Sequence, residues 1–214
     1  MAAGGAELFP MSENIKRFAI TGGIACGKST VAAWLPRWGG CVLDADAVVH
    51  ALEAPGGAAV DPIRDAFGPG VVQAGGAVDR VALGRRVFRD PAALALLNGL
   101  VHPLVQQRIE AWLAEPVAPG VRFRAVVIPL LFETSWSTAG WDAVVAIVCD
   151  EAEQIRRLRG RGMSAAEARQ RLAAQMSCAE KARRADYAIW NNGTVEALQE
   201  AVERLFQALL EKNT

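Results

Sequence analysis

The chain has 214 residues, of which 52% are hydrophobic and 21% charged, and its 23 Lys and Arg residues balance 23 Asp and Glu residues. This length suits one domain with a sizeable core, and the composition excludes a disordered or collagen-like chain. The balanced charge argues against a strongly basic nucleic-acid-binding protein. No apolar run reaches the ~18 residues of a transmembrane helix, so we expect no membrane-spanning segment.

Four cysteines and two histidines are spread along the chain without a C-x-x-C pair, which argues against a structural zinc site. The cysteines lie in or beside apolar or small-residue stretches, where a reduced thiol behaves as a small hydrophobe. We therefore expect a reducing compartment, the cytoplasm. Residues 1–14 lack the features of a signal peptide and are predicted to form a flexible tail.

Five short apolar runs alternate with helical patterns. Runs that are apolar on both faces are typical of strands buried between helix layers, and the alternation predicts an α/β fold with a parallel sheet. The runs cover residues 17–21, 41–46, 125–132, 143–149 and 187–190.

The segment between the second and third runs is longer than one crossover helix needs. Residues 61–113 are predicted to be mainly helical, and we expect this insertion to cover the sheet edge and to bind a ligand. The Asp90-Pro91 pair predicts one helix start within it, and the stretch 98–103 is predicted to interrupt the helical pattern.

Capping-box spacing marks further helix starts. The pairs are Asp150 with Glu153, Ser164 with Glu167, and Ser177 with Glu180.

Residues 22–29, here called the phosphate loop, fit the pattern G-x-x-x-x-G-K-[ST] at every fixed position. The loop follows a predicted strand and precedes a predicted helix, where glycines let backbone N–H groups surround a phosphate. Lys28 would reach the β- and γ-phosphates, and the Ser29 hydroxyl would ligate Mg²⁺. The alternative is a glycine-rich turn with a chance Lys-Ser pair.

Asp44 and Asp46 end the second apolar run. Residues two apart on a strand share a face, and at the carboxyl end of a sheet they would overlook the ligand crevice. One carboxylate would accept a proton from an attacking hydroxyl while the other helps to order Mg²⁺. The alternative is that the pair caps the next helix. A guanine-reading Asn-Lys-x-Asp, expected of a GTPase, is absent from the sequence.

Arginines crowd the segment that follows residue 150, with acidic residues between them. The pattern is typical of a solvated helical face. The Arg-Gly-Arg-Gly stretch at 159–162 should break the helix, which also suits the hinge of a lid that carries cations over a transferred phosphate. His102 and Glu133 suit either a ligand contact or a structural role.

Together these segments resemble the dephospho-coenzyme A kinase family. The resemblance rests on the phosphate loop, VLDAD (42–46), LNGLVHPLV (97–105), VVIPLLFE (126–133), the arginine helix (154–161) and ADYAIWNNG (185–193), in the family's order. Ala25 stands where glycine is usual. An alanine is tolerated there if its φ stays negative, so we expect little loss of activity.

The resemblance implies phosphorylation of the ribose 3′-hydroxyl of dephospho-CoA by ATP with Mg²⁺, the last step of CoA synthesis. It implies Asp46 as general base, Lys28 and Ser29 on the phosphates and Mg²⁺, and Arg157 on the transferred phosphoryl group. The implied acceptor contacts are Asp44, His102, Leu131, Glu133 and Arg161. The implied nucleotide contacts are Gly23, Ile24, Ala25, Cys26, Gly27, Lys28, Ser29, Thr30, Arg157 and Asn191, with Asn192 near the adenine.

The resemblance also implies a P-loop NTPase fold similar to nucleoside monophosphate kinases, with a single domain over residues 15–210. Its parts are a nucleotide-binding core (15–60, 121–150, 186–210), a helical CoA-binding insertion (61–120) and a lid (151–185). We expect a monomer or weak homo-oligomer. Two other functions stay open: a P-loop kinase for another small molecule, and a nucleotide-binding switch without transferase activity.

Overall fold

A computed structural model describes residues 15–88, 90–134 and 136–211. The predicted N-terminal tail lies outside these residues. No helix in the described ranges combines the length and the apolar character needed to cross a bilayer.

The centre of the fold is a sheet of five parallel strands in the order β2-β3-β1-β4-β5. Each strand overlaps one of the apolar runs, so the predicted parallel α/β sheet is confirmed, although β3 ends at Val127 and residues 128–132 of the third run lie outside it. The strands are β1 (Lys16–Gly22), β2 (Gly40–Asp44), β3 (Phe123–Val127), β4 (Ala143–Val148) and β5 (Tyr187–Trp190).

Nine α-helices of the described residues surround this sheet. They are α1 (Lys28–Trp34), α2 (Ala45–Leu52), α3 (Val60–Phe67), α4 (Arg80–Val87), α5 (Pro91–Ala114), α6 (Glu151–Arg159), α7 (Ala165–Ala173), α8 (Cys178–Arg184) and α9 (Val195–Glu211), with short 3-10 helices at Leu35–Trp38 and Pro69–Val71.

Strand β1 lies at the centre of the sheet and pairs with β3 on one side and β4 on the other. All residues of β3 and β4 are buried, which explains why β4 is apolar on both faces and β3 is apolar except for Arg124, whose guanidinium donates to the carbonyls of Trp112 and Glu115. Because the strands run parallel, the phosphate loop after β1 and the acidic residues after β2 emerge at the same edge of the sheet. This edge is where ligands bind in open α/β sheets.

One face of the sheet packs on α1 and α9 through an aromatic cluster. Phe18, Phe123 and Phe206 are at most 1% exposed, and their ring centroids lie 5.2–5.5 Å apart. Such tilted and edge-on ring pairs add to the free energy gained by burying the rings. This cluster holds α9 against β1, and β1 leads into the phosphate loop.

The helical insertion covers a face of the sheet, and the expectation that it covers an edge is wrong. Ala19, Val126 and Val144, from the three central strands, share one apolar cluster with residues of α2, α3, α4 and α5. Side chains alternate between faces along a strand, so these residues point away from the aromatic cluster. The insertion is therefore part of the same packed core.

Helix α5 continues unbroken through Pro103, so the predicted interruption at 98–103 is wrong. Proline removes one backbone donor and usually breaks a helix. Here Val101, Val105 and Ile109 are buried on both sides of the proline. Tertiary packing of this face therefore outweighs the local preference to end the helix.

The predicted helix caps are mostly confirmed. The Asp90 side chain accepts from the N–H groups of Ala92 and Ala93, and Ser164 with Glu167 forms a complete capping box. The Ser177 hydroxyl accepts from the N–H of Glu180. Asp150 differs, because its carboxylate accepts from the Asn192 side chain and makes no cap bond.

The aromatic cluster predicts a strong effect of Phe206→Ala on stability. Truncating a fully buried phenylalanine leaves a cavity and should lower the free energy of unfolding by about 3–5 kcal/mol. Gln207→Ala, at an exposed position of the same helix, is the matched control and should change it by less than about 0.5 kcal/mol. Urea unfolding followed by circular dichroism measures both; equal effects would contradict the packing described here.

Candidate active site

The phosphate loop joins β1 to α1 through two glycines that no other residue could replace without strain. Gly22 has φ +143°, and a Cβ there would lie 1.9 Å from the carbonyl oxygen of Ile147. Gly27 has φ +103°, and a Cβ there would lie 2.7 Å from the amide nitrogen of Asn191. Glycine is thus required both by backbone conformation and by the close approach of neighbouring segments.

Three consecutive carbonyls of the loop accept hydrogen bonds from side chains outside it. The bonds run from Gln154 Nε2 to Ile24 O (2.9 Å), from Arg157 Nη1 to Ala25 O (3.1 Å) and from Asn191 Nδ2 to Cys26 O (2.9 Å). In a trans peptide the C=O and the following N–H point in opposite directions. The N–H groups that follow these carbonyls therefore turn away from the side chains that hold the carbonyls, and that of Cys26 makes a long bond of 3.4 Å to the Gly23 carbonyl, which a phosphate would replace.

Ala25 has φ +60°, so the condition that its φ stays negative is not met. It is the only non-glycine residue with positive φ among the described residues. The left-handed conformation costs an alanine roughly 1 kcal/mol or more. Its methyl group is buried against Leu158 of α6 and Ala168 of α7, and this contact offsets part of that cost.

Lys28 opens α1, and its Nζ donates to the carbonyls of Gly22 (3.0 Å) and Gly23 (2.7 Å). The ammonium group is thus folded back over the loop. Burial lowers the pKa of Lys28, while the nearby carboxylate of Asp46 opposes this shift. Ser29 and Thr30 follow with exposed side chains. The predicted phosphate ligands are therefore held at one point at the end of β1.

Asp44 and Asp46 do not share a strand face, so that part of the prediction is wrong. Strand β2 ends at Asp44, whose carboxylate accepts from the N–H of Asp46 at 2.9 Å and caps α2. Asp46 lies in the first turn of α2. Asp44 alone therefore caps α2, as the alternative predicted, and the Asp46 carboxylate is available to a ligand.

The surroundings of Asp46 raise the pKa of its carboxyl group, first by partial burial and second by the negative charge of Asp44. Lys28 acts in the opposite direction. Asp46 also lines a cavity of about 340 Å³ between α2 and α4. Arg80 and Glu53 form an ion pair of 2.6 Å in the wall of the same cavity.

His102 and Glu133 are brought together in a second cavity of about 410 Å³, which Asn98 and Gln106 also line. Burial lowers the pKa of His102, so its imidazole is neutral at neutral pH. This cavity does not include Asp46. Leu131 lines neither cavity, because its side chain is fully buried in the core beneath the insertion.

Lys181 is a residue that sequence reasoning missed. It was one basic residue among many in a segment typical of a solvated face, yet its side chain is fully buried. Its Nζ lies 2.8 Å from the Glu133 carboxylate and donates to the carbonyl of Pro129 at 2.7 Å. Its charge also acts on Lys28. The pair ties α8 to the segment after β3, beside the phosphate loop.

Arg157 is held by several contacts. Besides the carbonyl of Ala25, it donates to the carbonyl of Asn191 (2.8 Å) and to the Glu153 carboxylate (2.6 Å). Contact with a transferred phosphoryl group stays a prediction. Arg161 is exposed just beyond the end of α6, where the predicted helix break is confirmed.

Comparison with known proteins agrees with this geometry. A family model described as dephospho-CoA kinase matches residues 17–197. The dephospho-CoA kinase of Symbiobacterium thermophilum is 42% identical over 189 residues, which cover 88% of this chain and 79% of that protein. The dephospho-CoA kinase of Geobacillus kaustophilus is 44% identical over 181 residues, covering 83% of this chain and 88% of that protein.

A solved structure shares the fold as well. The crystal structure of TT1252 from Thermus thermophilus superimposes with a TM-score of 0.76 at 36% identity, covering 94% of this chain and all of that one. The family match spans the phosphate loop, both aspartates and all residues that hold the loop from outside. On these grounds the chain belongs to the dephospho-CoA kinase family.

Proposed function

We propose that this chain transfers the γ-phosphoryl group of ATP to the ribose 3′-hydroxyl of dephospho-CoA, giving CoA and ADP. The observation that supports it best is that Lys28, on the phosphate loop after β1, and Asp46, in the first turn of α2 after β2, emerge at the same end of the parallel sheet, where their charges act on each other. One residue serves the phosphates of the donor, and the other lines the cavity next to the insertion. Donor and acceptor sides therefore meet at the end of the sheet where β1 and β2, the two neighbours of β3, both end.

The phosphate loop binds the triphosphate through backbone N–H groups that are already oriented. The side-chain bonds to the carbonyls of Ile24, Ala25 and Cys26 hold this orientation before any ligand arrives. Preorganised donors need little rearrangement as charge develops in the transition state. Lys28 would exchange its carbonyl partners in the loop for oxygens of the β- and γ-phosphates.

Asp46 accepts the proton of the attacking 3′-hydroxyl and orients its oxygen towards the γ-phosphorus. In a loose transition state the base acts mainly by positioning the nucleophile. The raised pKa makes the Asp46 carboxylate a stronger base, and a general base is most effective when its pKa lies near the operating pH. Asp44 contributes by its negative charge and by holding the first turn of α2.

Mg²⁺ would be held by the exposed Ser29 hydroxyl and the phosphate oxygens, and the Asp46 carboxylate would help to order its waters. Among the described residues, no group of three or more His, Cys, Asp and Glu side chains could hold a metal ion. This donor set fits a cation that is bound through few protein ligands and through substrate phosphates. When bound, Mg²⁺ neutralises charge that develops on the transferred phosphoryl group.

The acceptor would lie between the core and the insertion. The cavity at Asp46 offers the ribose a base, and the Arg80 guanidinium in its wall offers a cation to an acceptor phosphate. His102 and Glu133 line the second cavity, on the other side of α5, where an extended acceptor would continue. We also propose the division into core, insertion (61–120) and lid (151–185). A monomeric or weakly oligomeric state, the lack of a nucleic-acid partner and a cytoplasmic location are part of the same proposal.

Following ADP release in the presence of ATP, Mg²⁺ and dephospho-CoA tests the proposal. CoA is the matched control acceptor, because its 3′-oxygen already carries a phosphate and should give no turnover. Locating the new phosphate by ³¹P NMR completes the test. Turnover with another acceptor but not with dephospho-CoA would favour a kinase for another small molecule. ATP binding without acceptor-dependent ADP would favour a nucleotide-binding switch.

The pH dependence of the two aspartate variants separates their roles. Asp46→Asn should lower kcat about 10²–10⁴-fold, because the proton acceptor is lost. In the wild type, kcat/KM should fall on acidification as the Asp46 carboxylate is protonated, at a higher pH than an ordinary carboxyl group would require. Asp44→Asn keeps a helix cap but removes the like charge, which lowers the pKa of Asp46.

The pH at which kcat/KM falls on acidification should therefore be lower for Asp44→Asn than for the wild type. Steady-state rates across the acidic range measure this shift. A fall at the same pH in both proteins, or an Asp46→Asn variant with wild-type kcat, would contradict the assignment of Asp46 as base.

Arg157→Ala should raise the KM for ATP and lower kcat, because the loop loses the bond to the Ala25 carbonyl. Arg156→Ala is the matched control, since that side chain is 72% exposed and bonds only to Glu153 among the described residues. Its constants should stay within about twofold of wild type. A fall in kcat for Arg157→Ala with an unchanged KM for ATP would instead support contact with the transferred phosphoryl group.

A further inference from the structure

Three cysteine thiols meet behind the phosphate loop. Cys26 Sγ lies 3.2 Å from Cys149 Sγ and 3.5 Å from Cys178 Sγ. The three residues come from the loop itself, from the end of β4 and from the first turn of α8. The fourth cysteine, Cys41, lies on β2 and takes no part in this cluster.

Cys178 is the most exposed of the three thiols, since it is 8% exposed whereas Cys26 and Cys149 are fully buried. Cys178 and Cys149 both line a cavity of about 490 Å³ beside α7 and α8, and the pKa of each is lowered, whereas that of Cys26 is raised. The Cys178 sulfur shares a hydrogen bond with the Cys26 thiol and accepts from the backbone N–H groups of Cys149 and Gly23, and the nearby charge of Lys181 acts in the same direction, while burial opposes the shift. Together these lower the pKa of Cys178 to about 6.

We propose that Cys178 and Cys26 form an oxidation site at which a hydroperoxide makes a reversible disulfide bond that disables the phosphate loop. Cys178 is the attacking thiol, because it lines the cavity and is the one residue of the three that keeps solvent exposure. Cys26 is the resolving thiol, because its sulfur already contacts Cys178 and is shielded from solvent. Oxidant-sensitive thiols in other proteins share this combination of thiolate character, access and a second thiol nearby.

The chemistry balances in two steps. The Cys178 thiolate attacks the distal oxygen of the hydroperoxide, the O–O bond breaks, and an alcohol or water leaves as the sulfur becomes a sulfenic acid. The Cys26 sulfur then attacks the sulfenic sulfur, an S–S bond forms, and the hydroxyl group leaves as water with the thiol proton. Two thiols lose two electrons in total, and the peroxide gains them.

The disulfide changes the loop because Cys26 belongs to it. An S–S bond of about 2.0 Å requires the two sulfurs, now 3.5 Å apart, to approach by about 1.5 Å. The Cys26 carbonyl is held by Asn191, so we expect the part of this movement that the side-chain torsions do not absorb to turn the adjoining peptides of the loop. Misaligned N–H groups bind the triphosphate less well, so the oxidised chain should bind ATP weakly.

The test treats the reduced full-length chain with hydrogen peroxide, removes the peroxide with catalase, and then measures binding of a fluorescent ATP analogue and kinase activity. We expect at least a tenfold weaker affinity for the analogue and a matching loss of activity, both restored by dithiothreitol. Peptide mapping by mass spectrometry under non-reducing conditions should find Cys26 joined to Cys178. Binding is measured first, because dephospho-CoA itself carries a thiol that reduces disulfides.

Two serine variants provide the comparison. Cys178→Ser keeps an oxygen that accepts the same backbone N–H groups, and it should hold its ATP affinity after peroxide treatment. Cys41→Ser is the matched control and should lose affinity as the wild type does. Inactivation of Cys178→Ser at the wild-type rate, a disulfide between Cys26 and Cys149, or damage that dithiothreitol does not reverse would each overturn the proposal.

The disulfide itself is detected without any kinase assay, so its absence and a failure of the proposed acceptor are separate results. Mapping the oxidised wild type also decides the question if Cys178→Ser does not fold.

Discussion

The catalytic arrangement depends on the phosphate loop, whose backbone N–H groups must point to one side and whose carbonyls must point to the other. A phosphate loop must present N–H groups inwards, which forces the matching carbonyls outwards, where each needs a partner. Gln154, Arg157 and Asn191 supply these partners to three consecutive carbonyls. Two of them lie in α6, so the segment predicted to be a lid also holds the loop in its binding conformation. Loss of these bonds would leave buried carbonyls unpaired and release the loop.

The same contact between the loop and α6 accommodates Ala25, at the position where the resemblance led us to expect glycine. Ala25 adopts a left-handed conformation that glycine would adopt without penalty. Its methyl group compensates by packing with Leu158 and Ala168 in a small apolar cluster separate from the main core. The polar bonds and this cluster together make α6, α7 and the loop one packed unit. Any movement of these helices would therefore change the geometry of the loop.

Opposite charges at the site are arranged in neighbouring pairs. Burial lowers the pKa of Lys28 and raises that of Asp46, while the attraction between the two favours both charged forms. Lys181 and Glu133 form a second pair beneath the loop, and the charge of Lys181 adds to the depression of the Lys28 pKa. A buried pair of this kind is costly to break, because the remaining charge would lack a partner. It fixes α8 against the sheet next to the cysteine cluster.

The sequence by itself determined the strands, most helix starts and the phosphate loop, because each is encoded by residues that are neighbours in the chain. Apolar runs, caps and the glycine spacing are local signals, so the position of Lys28 at the end of β1 was predictable. Only the tertiary structure decided that α5 passes through Pro103, that Lys181 is buried and that the cysteines meet. Arg157 and Ala25 are 132 positions apart, and no local pattern reports a contact over that separation. Packing of distant segments selects such partners, since a buried donor takes whichever acceptor the fold brings within reach.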